Sequence, residues 1–315
     1  MKILNKHILF AIAILGMLAS CEKEFDLKVK DTENKIVINS IFNTTEPIYA
    51  EIMKSSPAMG VIEINELKSA SVSLYKNDVF VENLVYQKTS SDFIGKFISN
   101  TTAVVDEEYT IKVNDPVLKK AEAKSYSPAK TVIDSETVNH IKWGENNSTS
   151  IRFQFSFILK DIDDPDYYYM TMYLPVLYVN PITKDTSFHA YQYAEILTGN
   201  LIYSQLYLKN GLIFTDAIFN NKNFEISGTA TTYNHPFGDF DRTDEENLIL
   251  DTTHLYISMH HLSPELYKFH SSYATKLDNE NDIYSEPTPV FSNIENGLGI
   301  FGGENVTVKK IVIKY

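Results

Sequence analysis

The feature that most constrains the fold is a strict alternation of apolar and polar residues at positions 151–157. The apolar positions are Ile151, Phe153, Phe155 and Phe157, and polar residues stand between them. Side chains of a β-strand point alternately to its two faces, whereas a helix repeats every 3.6 residues. This segment therefore predicts a strand with one face in a hydrophobic core and the other in solvent.

The rest of the chain has the composition of a β-rich protein. It contains 20 Tyr and 18 Phe but one Trp, and aromatic and β-branched residues favour strands. Residues 167–179, 248–259 and 306–314 predict further strands, the first of them covered on both faces. Short strands between regularly spaced turn residues are typical of sandwiches. We predict a mainly β protein with two β-sandwich domains of the immunoglobulin or transthyretin type.

The predicted domain boundaries follow from composition. Residues 1–20 are a lipoprotein signal peptide, and residues 21–34 are a polar tether. Residues 35–127 form an N-terminal β-sandwich. Residues 128–315 form a C-terminal β-rich domain that carries an added helix and a glycine-rich loop.

The added helix is predicted near residues 263–277. Ser263 is a preferred N-cap residue, and Pro264 suits the first helical position because it needs no hydrogen-bond acceptor there. The apolar residues of this segment repeat at helical spacing and share one face. They are Leu266, Phe269, Tyr273 and Leu277.

The start of the chain resembles a bacterial lipoprotein signal. A basic start precedes an apolar run at residues 8–18, which is too short to span a membrane. Cys21, the only cysteine, follows Leu-Ala-Ser, which is the spacing of a lipobox. We predict cleavage before Cys21 and lipidation of that residue. The alternatives are an ordinary signal peptide with a cysteine near its end, or a buried free thiol. Several acyl chains hold a protein stably on a membrane.

The mature N-terminus predicts an outer-membrane location. Glu22, and not Asp, follows Cys21, so the common inner-membrane retention signal is missing. The acidic residues after Cys21 resemble the surface-export signals of Bacteroidota lipoproteins, although an acidic solvated tether is the alternative. The formal net charge of −13 excludes binding to nucleic acid or anionic lipid by general electrostatics.

No motif assembles a catalytic centre, a metal site or a cofactor site, and we predict none of them. The acidic run at residues 161–166 lacks the Gly and Glu of an EF-hand loop, so we interpret it as a turn, with calcium binding as the alternative. His260 and His261 are adjacent, and on a strand they point to opposite faces. No Gly-x-Ser-x-Gly motif is present.

Residues 285–303 contain two prolines and four glycines, which argue against regular structure. We predict an ordered loop with positive φ at its glycines, which closes onto a last strand at residues 306–314. We interpret the motif as structural, with a binding role as the alternative. Its residues are Glu286, Pro287, Asn293, Gly297, Gly299 and Phe301.

Three stretches resemble one known family. They are Cys-Glu-Lys-x-Phe-Asp-Leu from Cys21, a Tyr-Tyr-Tyr strand after an Asp-Pro turn, and Asn-Ile-x-x-Gly-Leu-Gly-Ile-Phe-Gly near the C-terminus. They resemble the Bacteroidota lipoproteins of unknown function called DUF4249, from Cys21 to the C-terminus. Many members have Gly where this chain has Asn296, and Asn also tolerates a left-handed backbone. The resemblance implies no established activity, but it implies genes that often lie beside TonB-dependent receptors.

These features together predict a non-enzymatic outer-membrane lipoprotein that acts as an accessory partner of a TonB-dependent receptor in uptake. A surface adhesin or glycan-binding module is the first alternative, and an enzyme is the second. Exposed tyrosines in a groove would favour glycan binding. A flat exposed patch would favour a protein partner.

Overall fold

The structure is a computed structural model. It describes residues 33–56, 64–141, 150–160, 165–198, 206–208, 211–217, 222–233, 247–280 and 288–315. The described residues within 34–55 and 63–315 form one compact unit, to which every element below belongs. Cys21, Glu286, Pro287 and Asp161 to Asp164 lie outside the described residues.

The protein is mainly β, as predicted. In chain order the strands are β1 (Ile36–Phe42), β2 (Pro47–Lys54), β3 (Asn65–Glu66), β4 (Ser71–Lys76), β5 (Val79–Asn83), β6 (Val85–Gln87), β7 (Lys96–Thr102), β8 (Glu108–Asp115), β9 (Lys119–Tyr126), β10 (Val132–Ile141), β11 (Ser150–Lys160), β12 (Tyr167–Val179), β13 (Thr186–Tyr193), β14 (Glu195–Thr198), β15 (Leu206–Leu208), β16 (Gly211–Thr215), β17 (Phe224–Tyr233), β18 (Leu248–Leu250), β19 (His254–Leu262) and β20 (Gly297–Val312). Helix α1 (Pro264–Asn279) lies between β19 and β20.

The strands form one large sheet and two small ones. The large sheet has the order β15-β16-β12-β19-β20-β1-β2-β7-β6, with β13 and β18 also paired to β12 and β3 paired to β2. The small sheets have the orders β5-β4-β8-β9 and β10-β11-β17-β14. The sheets pack in a sandwich-like arrangement around two hydrophobic cores.

The first core lies between the sheet of β4, β8 and β9 and the part of the large sheet formed by β1, β2 and β7. Ile36 and Ile38 of β1 are fully buried, whereas Val37 between them is only partly buried. This alternation is expected of a strand with one covered face. The rings of Phe42 and Phe301 pack 4.7 Å apart in this core.

The second core contains the alternating segment at residues 151–157. Phe153, Phe155 and Phe157 of β11 are buried against Met170 and Met172 of β12 and against residues of β19. The predicted strand at 167–179 has the observed bounds of β12. The predicted division of the chain at residue 127 stays a prediction.

The predicted loop at 285–303 is wrong in its second half, because Gly297 to Gly303 belong to strand β20. The first seven residues of β20 pair in parallel with β1, and the last nine pair antiparallel with β19. The glycines are compatible with a strand here because other backbone lies very close. A Cβ on Gly303 would lie 2.0 Å from the carbonyl oxygen of Tyr126. Glycine inside a strand often marks such a close approach.

The helix prediction is confirmed. Ser263 is the N-cap, and its hydroxyl accepts hydrogen bonds from the backbone N–H of Leu266 and of Gly303, each at 3.3 Å. Leu266 is fully buried, and the other predicted apolar residues of α1 pack onto the large sheet. The single strand predicted at 248–259 is instead two, β18 and β19. Between them Asp251 accepts a hydrogen bond from the Thr253 N–H at 2.9 Å, which forms a turn.

In the described part of the chain, α1 is neither long nor apolar enough to cross a membrane.

Candidate functional site

Strands β12, β19 and β20 have one face in the second core and an opposite face, which we call the outer face. On β12 the outer face is also covered, as predicted, since Thr171 and Tyr173 are 5% and 8% exposed. Leu255, Ile257 and Met259 of β19 are fully buried in the second core. Because side chains alternate, Tyr256, Ser258 and His260 lie on the outer face. The residues of β12 opposite them in register are Tyr173, Thr171 and Tyr169.

Three polar side chains on this outer face form a hydrogen-bonded chain. Ser258 Oγ lies 3.2 Å from His260 Nε2, and His260 Nδ1 lies 2.9 Å from Glu304 Oε2. Glu304 comes from β20, where it is opposite Leu262 and therefore diagonal to His260. The order serine, imidazole and carboxylate is the arrangement by which proteins activate a hydroxyl nucleophile.

The hydrogen-bond partners fix the tautomer of His260. A carboxylate can only accept a hydrogen bond, so Nδ1 carries the proton of the neutral ring and donates it to Glu304. Nε2 then has a free lone pair and accepts from the hydroxyl of Ser258. The imidazole is thus oriented to remove a proton from Ser258.

His260 packs against an aromatic side chain. The ring of Tyr169 lies 5.3 Å from the imidazole of His260 and 5.9 Å from the ring of His270 in α1. The Tyr169 ring occupies space above Gly211, where a Cβ would lie 2.1 Å from the ring. Burial, with Tyr193 and Glu304 nearby, raises the pKa of Tyr169 to about 12, so its phenol keeps its proton at neutral pH.

Next to the serine lies a group of aromatic rings that we call the aromatic surface: Tyr173, Phe188, Tyr191, Tyr193 and Tyr256. Tyr173 stacks on Tyr256 at 5.4 Å and packs at an angle of 56° against Tyr191 at 4.5 Å. Tyr173 is 8% exposed, but Tyr191 is 47%, Tyr193 46% and Phe188 57% exposed. Burial, together with the neighbouring tyrosines, raises the pKa of Tyr173 to about 12. The phenol of Tyr173, at the centre of the aromatic surface, therefore keeps its proton at neutral pH.

The register shows that the aromatic surface is part of a row across four strands. Tyr193, Tyr173, Tyr256 and Lys310 are successive partners on β13, β12, β19 and β20. The Lys310 ammonium lies 5.8 Å from the centre of the Tyr256 ring. Rings that share one sheet face form a broad patch rather than the walls of a deep cleft.

His261 points to the opposite face from His260, as the alternation predicted. Its Nε2 lies 2.9 Å from Asp166 Oδ1, and its Nδ1 lies 2.7 Å from the carbonyl oxygen of Ala129. The second Asp166 oxygen accepts from the hydroxyl of Tyr168 at 3.0 Å. Both nitrogens of His261 face acceptor oxygens, so neither of them is opposite a hydroxyl from which it could remove a proton.

A cavity of about 320 Å³ adjoins His261 and Asp166 and is lined also by Asp106, Tyr126 and Pro128. Burial, followed by the charges of Glu265, Asp106 and Asp166, raises the pKa of Tyr126 to about 12. Asp166 was the last residue of the acidic run considered for calcium, and its carboxylate already bonds His261 and Tyr168. Among the described residues, no three His, Cys, Asp or Glu side chains form a group that could hold a metal ion.

The described residues of the glycine motif have structural contacts. Asn293 Nδ2 donates to the carbonyl of Phe301 at 2.8 Å, and its Oδ1 accepts from the Phe301 N–H at 3.1 Å. Gly299 has the positive φ predicted for the glycines, +103°, and Asn296 has φ of +56°. The prediction is wrong for Gly297, Gly302 and Gly303, which have no positive φ and lie in strand β20. Gly297 packs so closely that a Cβ would lie 2.8 Å from the Ile36 carbonyl oxygen.

The comparisons with known proteins agree with the resemblance seen in the C-terminal motif. The family described as Domain of unknown function (DUF4249) matches residues 22–310. The chain belongs to the DUF4249 family. The matched range includes both the glycine motif and all three residues of the serine, histidine and glutamate chain.

Other comparisons add little to the DUF4249 assignment. The search of curated proteins gave no match. A crystal structure of a mutant of Salmonella alpha-2-macroglobulin aligns with 90% of this chain at 8% identity, with a TM-score of 0.22. This chain spans 15% of the length of that protein chain.

Proposed function

We propose that this DUF4249 protein is a lipid-anchored outer-membrane protein that acts by binding a partner protein through the aromatic surface. The observation that carries the proposal is the exposure of Phe188, Tyr191 and Tyr193, each at least 46%. Large exposed aromatic residues that share a face are typical of interfaces.

The shape of the aromatic surface favours a protein partner over a glycan. It extends across β13, β12, β19 and β20, with Val308 and Val312 exposed on the same face of β20. At about 4.8 Å between strands and 3.4 Å per residue, the patch covers roughly 250 Å². That is about a third of the roughly 800 Å² that one partner buries in a standard interface. A patch of this size suits the central residues of a protein interface.

The proposed lipid anchor favours a partner protein that lies in the same membrane. Lipidation at Cys21 would confine the protein to the membrane surface, where it meets membrane proteins at high effective concentration. A TonB-dependent receptor is the partner implied by the gene neighbourhood of the Bacteroidota members. Tyrosine suits such a contact because it is large and amphipathic and loses little conformational entropy when it binds.

The anchor is tested by Cys21→Ala. We expect the variant to leave the membrane fraction or to remain uncleaved, because neither the lipid nor the cleavage site is then available. Membrane fractionation and the mass of the mature protein are the measurements. Unchanged processing and membrane association would refute the lipoprotein assignment.

The partner is tested by mild-detergent co-purification from native membranes. A Tyr191→Ala and Tyr193→Ala double variant should lose the co-purifying barrel, since removing central interface aromatics weakens binding by about 2 kcal/mol or more, roughly 30-fold. Phe93→Ala is the matched control, because Phe93 is 80% exposed but lies outside the aromatic surface. Equal recovery with all three proteins would refute the role of the aromatic surface. Retention of a glycan instead of a protein would favour the glycan-binding alternative.

A further inference from the structure

We propose that Ser258 is an activated nucleophile that accepts the acyl group of a carboxylic ester, with His260 as general base and Glu304 as the residue that positions His260. This inference goes beyond the binding function and does not depend on it. The geometry that carries it is the continuous chain from Ser258 Oγ through the imidazole to the Glu304 carboxylate, at 3.2 and 2.9 Å.

The three side chains have the environment that such a site needs. Ser258 is 5% exposed, and the side chains of His260 and Glu304 are 21% and 18% exposed. The group is therefore shielded but reachable at the imidazole. Electrostatic interactions are stronger in such shielded places than in water. The 3.2 Å hydrogen bond is at the long end of the range, as is common for catalytic pairs without bound substrate.

His260 differs from His261 in the one property that a base requires. Both lie on β19 and both contact a carboxylate. Nδ1 of His261, the nitrogen that does not contact the carboxylate, faces the carbonyl oxygen of Ala129. The corresponding nitrogen of His260, Nε2, faces a hydroxyl that can donate its proton. Of this neighbouring pair, His260 is therefore the one that can remove a proton.

A hydroxyl for the developing oxyanion lies beside the nucleophile. Thr171 is the register partner of Ser258 on β12 and shares its face. Side chains in such cross-strand pairs have Cβ atoms about 4.5–5.5 Å apart. The hydroxyl of Thr171 can therefore donate to the carbonyl oxygen of an acyl group attacked by Ser258. Side-chain donors serve this role in other acyl-transfer sites.

The surroundings indicate the class of substrate. On the outer face of β19, the neighbours of Ser258 are His260 on one side and Tyr256 on the other. Tyr256 stacks on Tyr173. An acyl group held at Ser258 would lie against these two rings. Aromatic rings favour flat apolar groups. We therefore assign an ester with an aromatic or other apolar acyl group.

The reaction is balanced with water as the second reactant. Ser258 Oγ forms a bond to the acyl carbon as its proton moves to His260 Nε2. The bond from the acyl carbon to the leaving oxygen then breaks, and His260 gives the proton to the departing alcohol. Water attacks the acyl-serine, passes a proton to His260, and Ser258 recovers it as the acid leaves.

The test uses the intact lipoprotein in mild detergent and a fluorophosphonate probe. Attack by Ser258 forms an oxygen–phosphorus bond and releases fluoride, and peptide mass spectrometry locates the adduct. We expect labelling at Ser258 that disappears in Ser258→Ala and is slowed at least 100-fold in His260→Ala, because general bases contribute about 10²–10⁴ in rate. Ser227→Ala is the matched control, because Ser227 is an exposed serine on β17.

Two further measurements separate chemistry from folding. Added imidazole should restore part of the labelling in His260→Ala, which a purely structural histidine would not allow. Glu304→Gln should slow labelling about tenfold, and Glu304→Asp should restore part of it, while circular dichroism of all variants stays that of the parent protein. Absence of an adduct at Ser258 in the folded parent protein, under conditions that fully label a known serine hydrolase, would overturn the proposal. Labelling of His260→Ala at the parent rate would also overturn it.

Discussion

Replacing Gly299 by valine should destabilise the whole protein, because Gly299 has a backbone that other residues rarely adopt. Its φ is +103°, and a Cβ there would lie 2.2 Å from the carbonyl oxygen of Ile38. That carbonyl belongs to β1, with which Gly299 pairs in register. Valine must therefore both accept a strained backbone and push β20 away from β1.

The size of the effect follows from these two contributions. A positive φ costs an ordinary residue about 1–2 kcal/mol. Moving β20 away leaves at least one buried backbone group of this pair without its partner, at about 1–3 kcal/mol. The free energy of unfolding should thus fall by about 2–5 kcal/mol. At about 2 °C per kcal/mol for a chain of this size, the melting temperature should fall by about 4–10 °C.

Thermal denaturation of the detergent-purified protein, followed by circular dichroism, measures this change. Leu298→Thr is the matched control, because Leu298 precedes Gly299 on the same strand but is 41% exposed. Threonine is a good strand residue, so this variant should stay within about 0.5 kcal/mol of the parent protein. A Gly299→Val protein that melts with the parent would refute the argument. If it also lost its partner, the motif would have a binding role instead.

Three further predictions concern other contacts. Ser263→Ala removes the acceptor for two backbone N–H groups, so urea denaturation should show a loss of about 1–2 kcal/mol. Asn293→Leu removes both bonds to the backbone of Phe301, and the same assay should show a loss of about 2 kcal/mol. Hydrogen bonds from Lys88, which has the largest effect, and from Tyr86 lower the pKa of Glu66 below its usual 4.5. Its stabilisation should be complete above pH 4.5 and lost as the pH falls through the lower folded value, so Glu66→Gln should flatten the acid limb of the stability profile.

Local patterns in the sequence predicted the elements that depend on local physics. The alternation around Phe155 gave β11, and the Ser263-Pro264 start gave α1, because alternation and capping act over a few residues. The motif at 297–303 was harder to interpret. The glycines there predicted a loop. They are instead required by tertiary packing, because the backbones of β1 and of the segment after β9 lie too close to leave room for side chains.

The candidate site could be predicted only in part. Buried Leu255, Ile257 and Met259 alternate with the outer residues, so the pattern of β19 alone places Ser258 and His260 on one face. Glu304 could not be added from the sequence, because it reaches His260 only through the β19–β20 register. The aromatic surface was missed for the same reason, since β13 meets Tyr173 only through sheet pairing.

The glycine motif and the candidate site are connected through the backbone of β20. Glu304 follows Gly303, and the Gly303 N–H donates to the Ser263 hydroxyl. The carbonyl oxygen of Glu304 accepts a hydrogen bond from the Ser127 hydroxyl at 2.9 Å. Asn305 then donates to the same Ser127 hydroxyl at 3.2 Å. The backbone on both sides of Glu304 is thus fixed by buried hydrogen bonds, which is how a rigid scaffold holds a functional carboxylate in place.

This connection separates two ways of losing reactivity at Ser258. A substitution in the motif, such as Gly303→Ala, would shift β20 and move Glu304 away from His260, so labelling and stability should fall together. Glu304→Gln changes the carboxylate without moving the backbone, so labelling should fall while the melting temperature stays the same. If both variants lost reactivity only in proportion to their loss of folded protein, the hydrogen-bonded chain would be a structural feature of the sheet. A loss of reactivity in fully folded Glu304→Gln would show that the carboxylate itself, and not only the fold, controls the nucleophile.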